Sequence, residues 1–243
     1  MTEIRALVFD VFGTVVDWRS SVIAECEQFG AVHGVELDWP AFVDDWRYDG
    51  YIGGIGLIRK GELPVMTTDQ LHRRKLDQLL EANGLEHIPE EERSQLNRAW
   101  HRLNPWNDSV AGLARLRTRF IVSTLSNGNV SLLVNMAKFA GLTWDCILAA
   151  DIIGAFKPSP EAYQSAPKFF DLQPAEVMLV AAHKNDLRAA QAQGLQAAFV
   201  PRPEEAGPSR SPDLSFDSAF EFNARDFHQL ADQLGCPGDH VAK

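Results

Sequence analysis

Apolar and polar positions follow one another in blocks along this chain. Five short apolar runs are each closed by a polar turn, which is typical of strands buried on both faces of a sheet. These runs are 4–9, 120–125, 146–150, 177–182 and 197–200. Stretches with helical periodicity lie between them, at 110–117, 130–140, 160–170 and 187–193. The alternation predicts an α/β fold with a doubly wound, mostly parallel sheet.

The stretch 17–104 interrupts this alternation. It shows amphipathic helical patterns such as 69–82 and 90–103, and it has no convincing strand pattern. We therefore predict a core domain of residues 1–16 and 105–243, with an inserted helical cap domain of residues 17–104. Near the end, the Pro-, Glu- and Ser-rich segment 201–212 predicts a surface loop, and 224–234 predicts a closing helix.

Composition narrows the class of protein. The 243 residues are 45% hydrophobic, and 23 basic against 33 acidic residues give a formal charge of −10. Such an acidic chain disfavours nucleic acid and anionic lipid as partners. No stretch approaches the roughly 20 apolar residues of a membrane span. Three dispersed cysteines without a CxxC pair argue against a disulfide framework or zinc site. Together with the lack of a signal-peptide pattern, they indicate a cytoplasmic protein.

Polar residues follow the predicted strands at the edge where parallel sheets bind ligands. They are Asp10 with Thr14 after the first strand, Ser126 and Asn127 after the second, Lys157 after the third, and His183 and Asp186 after the fourth. A carboxylate at a buried strand end, facing backbone N–H groups, is a candidate nucleophile. Each residue alone also fits a plainer interpretation: a turn cap for Asp10, Thr14, Ser126 and Asn127, or a surface side chain for Lys157.

Taken together, these residues resemble a known family. Asp10, Ser126, Lys157 and Asp186 match, in order, the elements of the haloacid dehalogenase superfamily, over essentially the whole chain. The resemblance implies a Rossmann-like core with a cap. Most members of that superfamily are magnesium-dependent phosphatases, in which a second Asp follows the nucleophile by two residues and two acids in the last loop lie five apart.

Two positions depart from the phosphatase pattern. Phe12 stands where the second Asp would act as general acid, and Ala181 stands five residues before Asp186. Phenylalanine cannot transfer a proton and alanine cannot bind a metal ion. Displacing a halide needs neither feature, because halide leaves as an anion and a free carboxylate can attack carbon directly. The departures therefore favour dehalogenation.

Further positions resemble the (S)-2-haloacid dehalogenases of this superfamily. Trp46-Arg47 matches a cap-helix arginine that cradles the halide, and the segment 155–158 followed by Tyr163 matches their lysine segment. Core packing is the alternative for Tyr163, and an exposed helix position is the alternative for Arg47. Where these enzymes tend to place Ser and Asn in the last loop, this chain has Ala181 and His183. We expect His183 to orient water or donate to the halide; a structural histidine is the alternative.

The resemblance implies a two-step mechanism without metal or cofactor. Asp10 attacks C2 of a 2-haloalkanoate to form an ester, and water then releases a 2-hydroxy acid. Lys157 keeps Asp10 ionised, Thr14 orients it, and Asp186 fixes the lysine and helps activate water.

Substrate contacts are implied in the same way. Ser126 holds the substrate carboxylate with the backbone N–H groups of Val11 and Phe12, while Arg47 and Asn127 stabilise the departing halide.

The expected function is hydrolytic dehalogenation of a small anionic 2-haloalkanoate by a homodimeric enzyme. Chloroacetate, 2-chloropropionate and fluoroacetate fit the same residues, so the sequence does not choose among them. Two alternatives remain: a magnesium-dependent phosphatase acting on a small phosphate ester, and a non-catalytic binding protein on the same scaffold.

Overall fold

The computed structural model describes residues 3–208 and 210–238. The chain divides into two compact units, one formed by Met1–Asp17 with Asn104–Lys243 and the other by Trp18–Leu103. Within the described residues, no helix is both long enough and apolar enough to cross a membrane.

The first unit is built on a six-stranded sheet. In chain order its eight strands are β1 (Ala6–Phe9), β2 (Val16–Asp17), β3 (Asn104–Pro105), β4 (Ile121–Ser126), β5 (Cys146–Ala149), β6 (Val177–Ala181), β7 (Gln196–Phe199) and β8 (Phe222–Asn223). The sheet order is β5-β4-β1-β6-β7-β8 with every neighbouring pair parallel, and β2 pairs with β3 in a separate antiparallel ribbon. β1 lies between β4 and β6, and the chain adds strands outward from β1 first on one side and then on the other.

Helices connect these strands and bury the sheet. They are α6 (Ser109–Leu116), α7 (Val130–Ala140), α8 (Ala150–Ile153), α9 (Pro160–Phe170), α10 (Lys184–Gln191) and α11 (Phe227–Gln233). All four residues of β1 and all five of β6 have no exposed surface. Strands covered on both faces carry continuous apolar runs rather than alternating ones.

The second unit is helical. It contains α1 (Trp18–His33), α2 (Trp39–Asp45), a π-helix (Trp46–Gly53), α3 (Gly54–Lys60), α4 (Thr68–Ala82), α5 (Glu90–Asn97) and a 3₁₀ helix (Arg98–His101). Local signals define several of these helices. Thr67 and Gln70 form a reciprocal capping box at the start of α4, and the Asp38 side chain accepts from Ala41 N–H at the start of α2.

The predicted fold class is confirmed, and the five main strands begin and end within two residues of the predicted runs. Two expectations were wrong in detail. The helix expected at 187–193 begins earlier, at Lys184, and the last helix begins at Phe227, because Asp226 caps it by accepting from Gln229 N–H at 2.6 Å. The sequence also missed β2, β3 and β8, each only two residues long and too short to show a period.

The segment 201–212 is not simply a surface loop. Arg202 has 8% of its surface exposed and Ala206 has 9%, so this part of the segment packs into the first unit. The described residues of the segment form no helix or strand and are mostly exposed or half-buried, as predicted, but these two are buried, because an irregular backbone can still pack against a core.

Candidate active site

The site is assembled where parallel strands end. Asp10 directly follows β1, and its N–H donates to the carbonyl of Val180 on β6 at 3.1 Å. Gly13 then turns the chain with φ at +85°, a conformation that favours glycine. In this turn the Val11 carbonyl accepts the N–H of Val15 at 2.9 Å. The carboxylate of Asp10 is thus carried on a short, fixed turn.

Thr14 holds the Asp10 side chain. Its hydroxyl donates to Asp10 Oδ2 at 2.8 Å and accepts from the N–H of Ala182 at 2.9 Å. Because both contacts are made at once, the hydroxyl proton is directed at the carboxylate. This geometry is that of a group orienting Asp10, and it also ties the turn after β1 to the end of β6.

Lys157 bridges two buried carboxylates. Its ammonium lies 3.0 Å from Asp10 Oδ1 and 2.5 Å from Asp186 Oδ2. The hydroxyl of Tyr163, which has no exposed surface, donates to Asp186 Oδ1 at 2.6 Å. Tyr163 therefore does more than fill the core, because it fixes the second carboxylate that holds Lys157.

These neighbours set the ionisation of the site. Burial acts to raise the pKa of Asp10, but the charges and hydrogen bonds of Lys157 and His183 outweigh it and hold that pKa well below its usual range. Burial likewise opposes the charge on Lys157, and Asp10 and Asp186 overcome it and raise the lysine pKa. Asp10 is therefore a carboxylate and Lys157 an ammonium at neutral pH.

Asn127 and Ser126 brace the loops around Lys157. The Asn127 amide donates to the Lys157 carbonyl at 3.1 Å and accepts from the Lys157 N–H at 2.6 Å. Ser126 Oγ accepts from the Gly128 N–H at 3.1 Å. The turn chemistry that the sequence left open is thus present at both residues, and Asn127 positions the Lys157 backbone. Their expected contacts with halide and substrate carboxylate stay predictions.

His183 lies between two carboxylates. It precedes α10, and its Nδ1 is 3.0 Å from Asp10 Oδ2 while its Nε2 is 3.0 and 2.9 Å from the two oxygens of Glu205. Burial opposes the protonated ring, but the charge of Glu205 and the hydrogen bond to Asp10 outweigh burial and raise the pKa of His183 to about 10. The ring is an imidazolium at neutral pH that donates to both carboxylates.

No sequence pattern pointed to Glu205 as a site residue. It lies in the Pro-rich segment that was expected to form a surface loop, and it reaches the site because Arg202 anchors that segment. The Arg202 guanidinium donates to both oxygens of Asp108 at 2.7 and 3.0 Å, and its Nε donates to the carbonyl of Thr14 at 2.9 Å. Asp108 Oδ2 also accepts the N–H of Phe227 at the start of α11. These contacts fix the loop of Glu205 against the turn of Asp10.

The residues present do not fit a magnesium ion. Magnesium requires an octahedron of oxygen atoms, which water molecules, one or two carboxylates and substrate phosphate usually supply. Ala181 supplies only a methyl group, and Phe12 supplies a phenyl ring with 3% of its surface exposed. Asp10 and Asp186 already share the ammonium of Lys157. Within residues 3–208 and 210–238, no group of three or more His, Cys, Asp or Glu side chains is arranged so that it could hold a metal ion.

Arg47 is held in the helical unit. It lies in the π-helix with 6% of its surface exposed, and its guanidinium carbon is 5.1 Å from the Trp18 ring centroid and 4.6 Å from that of Tyr51. The preceding Trp46 donates its indole N–H to the His72 carbonyl at 2.8 Å. Two aromatic rings thus restrict the guanidinium. Its action on a halide stays a prediction.

Comparison with known proteins identifies the family. The sequence model of the haloacid dehalogenase-like hydrolases matches residues 4–194. The chain is 30% identical over 207 residues to (S)-2-haloacid dehalogenase 1 from Pseudomonas sp. strain CBS-3, across 83% of this chain and 86% of that protein. The crystal structure of the defluorinating L-2-haloacid dehalogenase Rha0230 is similar, with a TM-score of 0.92, 43% identity and 96% of each chain covered. That of the L-2-haloacid dehalogenase PA0810 gives 0.88 and 44%, covering 95% of this chain and 99% of that one. The chain therefore belongs to the haloacid dehalogenase-like hydrolases and, among them, to the (S)-2-haloacid dehalogenases.

Proposed function

We propose that this protein hydrolyses short 2-haloalkanoates to 2-hydroxy acids through an ester on Asp10, without a metal ion. The observation that carries the proposal is the setting of Asp10. Lys157 approaches one carboxylate oxygen at 3.0 Å, and Thr14 approaches the other at 2.8 Å. A carboxylate that is ionised, oriented and shielded from water is a competent nucleophile toward a carbon–halogen bond.

In the first step an Asp10 oxygen attacks C2 of the substrate from the side opposite the halogen. The C–O bond forms as the carbon–halogen bond breaks, and halide leaves with the bonding electrons and without a proton. Attack from the opposite side inverts the configuration at C2, so an (S)-substrate gives an (R)-2-hydroxy acid. Phe12 and Ala181 suit this step, because both are apolar and neither proton donor nor metal ligand is needed.

Substrate and halide contacts follow the sequence predictions. Ser126 and the backbone N–H groups of Val11 and Phe12 hold the substrate carboxylate, and Asn127 and Arg47 receive the halide. We propose that residues 17–104 act as a cap that brings Arg47 to the halide and excludes bulk water during the first step.

In the second step water attacks Cγ of the Asp10 ester. Lys157 stabilises negative charge as it develops on the carbonyl oxygen. Asp186 keeps that ammonium in place through its 2.5 Å contact and is itself fixed by Tyr163 at 2.6 Å. The phosphatase alternative is weaker, because the positions of its general acid and of one carboxylate are held by Phe12 and Ala181.

The proposal extends to the halogen that is cleaved, to the location of the enzyme and to its oligomeric state. The similar protein Rha0230 is described as defluorinating, which makes fluoroacetate a substrate to test beside chlorinated acids. We further propose that the enzyme is cytoplasmic and works as a homodimer.

The test is halide release in the presence of EDTA. Purified protein is incubated with (S)-2-chloropropionate, chloroacetate and fluoroacetate, and free chloride and fluoride are measured. We expect the wild type to release halide and Asp10→Asn to release none. Glu91→Gln, which makes the same carboxylate-to-amide change at an exposed position, is the matched control. If none of the three acids releases halide and a phosphate ester is turned over with magnesium, the proposal is overturned.

A further inference from the structure

We propose that His183 and Glu205 form a charge switch: His183 carries a proton while Asp10 is a carboxylate, and it becomes the base for hydrolysis only after Asp10 has been esterified. This inference rests on the proposed function, because it concerns the ester of Asp10. It assigns Glu205 a role as the positioning residue that holds His183.

The geometry places the His183 ring between two negative groups. Asp10 faces Nδ1 at 3.0 Å and both oxygens of Glu205 face Nε2 at 3.0 and 2.9 Å. The remaining charges nearby are engaged with other partners. Lys157 lies on the opposite oxygen of Asp10, Asp186 is bound by Lys157 and Tyr163, and Lys184 pairs with Asp213 at 2.6 Å. The two carboxylates at the ring are therefore what retains its proton.

Alkylation removes one of these two charges. When Asp10 becomes an ester, its carboxyl group is neutral, whereas the burial that opposes an imidazolium remains. The ring then gives up a proton to solvent. A path exists, because 33% of the His183 side chain is exposed, compared with 12% for Asp10 and 15% for Glu205.

Glu205 decides which ring nitrogen keeps the remaining hydrogen. A carboxylate at Nε2 retains an N–H there, which leaves the lone pair on Nδ1. Nδ1 is the nitrogen that faces Asp10 Oδ2 at 3.0 Å, so the base forms on the side where water must attack the ester. Since Arg202 ties the Glu205 segment to Asp108 and to the Thr14 carbonyl, this tautomer is fixed by a buried anchor.

The protons balance over the cycle. In the first step the ester forms and halide leaves; once Asp10 is esterified, His183 releases one proton to solvent. In the second, water adds to Cγ of Asp10 and gives a proton to Nδ1. The bond between Cγ and the alkoxide then breaks, and the alkoxide takes that proton to become the 2-hydroxy acid. The second proton of the water passes to His183 as Asp10 ionises, which restores the imidazolium. The net products are the 2-hydroxy acid, halide and one proton.

A pH-jump experiment separates the two steps. Enzyme is mixed with excess (S)-2-chloropropionate at about pH 5, below the ordinary range of histidine. Halide is measured, the ester on the Asp10 peptide is quantified by mass spectrometry, and the sample is then jumped to about pH 8.5. We expect a single equivalent of halide and a stable ester at the acid pH, because Asp10 remains ionised there while His183 keeps its proton. Hydrolysis follows the jump.

Variants assign the effect to the two residues. His183→Gln should form the ester and hydrolyse it about 10²- to 10⁴-fold more slowly at the higher pH, the usual contribution of a general base. Glu205→Gln should move the midpoint of the hydrolysis profile down by about one unit, because the ring loses one carboxylate partner. Glu204→Gln, the same change at the exposed neighbour, should leave that midpoint in place.

Three results would overturn the switch. They are continuous turnover at the acid pH without ester accumulation, loss of the halide step itself at that pH, and a wild-type hydrolysis profile in His183→Gln. Failure of the proposed function has a different signature, since no halide would then be released at either pH.

Discussion

Five charged side chains alternate in sign through the site. Their order is Glu205, His183, Asp10, Lys157 and Asp186. Each cation lies between two carboxylates, and the pKa of buried Asp10 is held well below its usual range by its two cationic neighbours. The stability of the fold should be sensitive to substitution of any one of these side chains, because its removal leaves a buried charge without its partner.

Lys157→Met should show this sensitivity most clearly. The substitution removes the ammonium that lies between Asp10 and Asp186, and breaking a buried pair in this way costs about 3–5 kcal/mol. The free energy of unfolding is measured in urea for the wild type and the variant. Lys168→Met, at an exposed position of α9, should change it by no more than about 0.5 kcal/mol.

A second substitution tests the cause. Adding Asp186→Asn to Lys157→Met removes one of the two stranded charges and should recover part of the lost stability. A Lys157→Met protein as stable as the wild type would show that the row is not electrostatically coupled.

The sequence predicted the strands and the residues that follow them for a physical reason. A parallel strand buried on both faces needs an uninterrupted apolar run, and the first polar residue after the run must lie at the sheet edge; Asp10 is the example. Glu205 follows no such run. Its position depends on the pairing of Arg202 with Asp108, which are far apart in sequence, and no local pattern reports such a contact. Asn127 was predicted as a site residue, but its hydrogen bonds with the Lys157 backbone were not, because backbone atoms are invisible in a sequence.

Helix α11 supports the sheet beneath Asp10 through a close approach to α6. Phe227 at its start packs edge-on against Phe9 of β1, with ring centroids 5.3 Å apart. Gly112 of α6 permits this arrangement, because a Cβ at that position would lie 2.4 Å from Cβ of Phe227. The two helices can approach only while position 112 lacks a side chain.

Gly112→Ala should therefore destabilise the first unit. Alanine is the better helix former, so any loss must come from overpacking against Phe227, which typically costs about 1–3 kcal/mol. Thermal unfolding followed by circular dichroism measures the change. Gly56→Ala is the control, since a Cβ there meets nothing within 4 Å, and it should be neutral or slightly stabilising. Equal unfolding temperatures for Gly112→Ala and the wild type would contradict the close approach.

The whole chain carries a net negative charge, and so does the row of five side chains, which holds three carboxylates and two cations. The molecule carries −10 overall, yet the proposed substrate is an anion. The site meets this by placing Lys157 and the protonated His183 on either side of Asp10. Two cations beside the Asp10 carboxylate lower the repulsion that an anionic substrate meets there, although the surface as a whole repels it.

The protonated histidine also makes the stability of the folded chain depend on pH. Folded His183 holds its proton up to about pH 10, whereas an ordinary histidine releases it near 6.5. Between these values the folded state binds more protons than the unfolded state, so the free energy of unfolding falls as pH rises. Lys157 contributes no slope in the lower part of this window, because its pKa is raised from 10.5. Buried His72 contributes no slope well above pH 6.5, where its ring is neutral in both states. Burial and the charge of Arg47 lower its pKa in the folded chain.

Urea unfolding between about pH 7 and about pH 8, below the midpoint of thiol ionisation, measures this slope. We expect a steady loss of stability with rising pH in the wild type and a much flatter profile in His183→Gln. His87→Gln changes an exposed histidine and should keep the wild-type slope. An unchanged slope in His183→Gln would mean that the ring is neutral in the folded chain, and the proton that the switch requires would then be absent. Because this measurement needs no substrate, it tests the charge on His183 independently of catalysis.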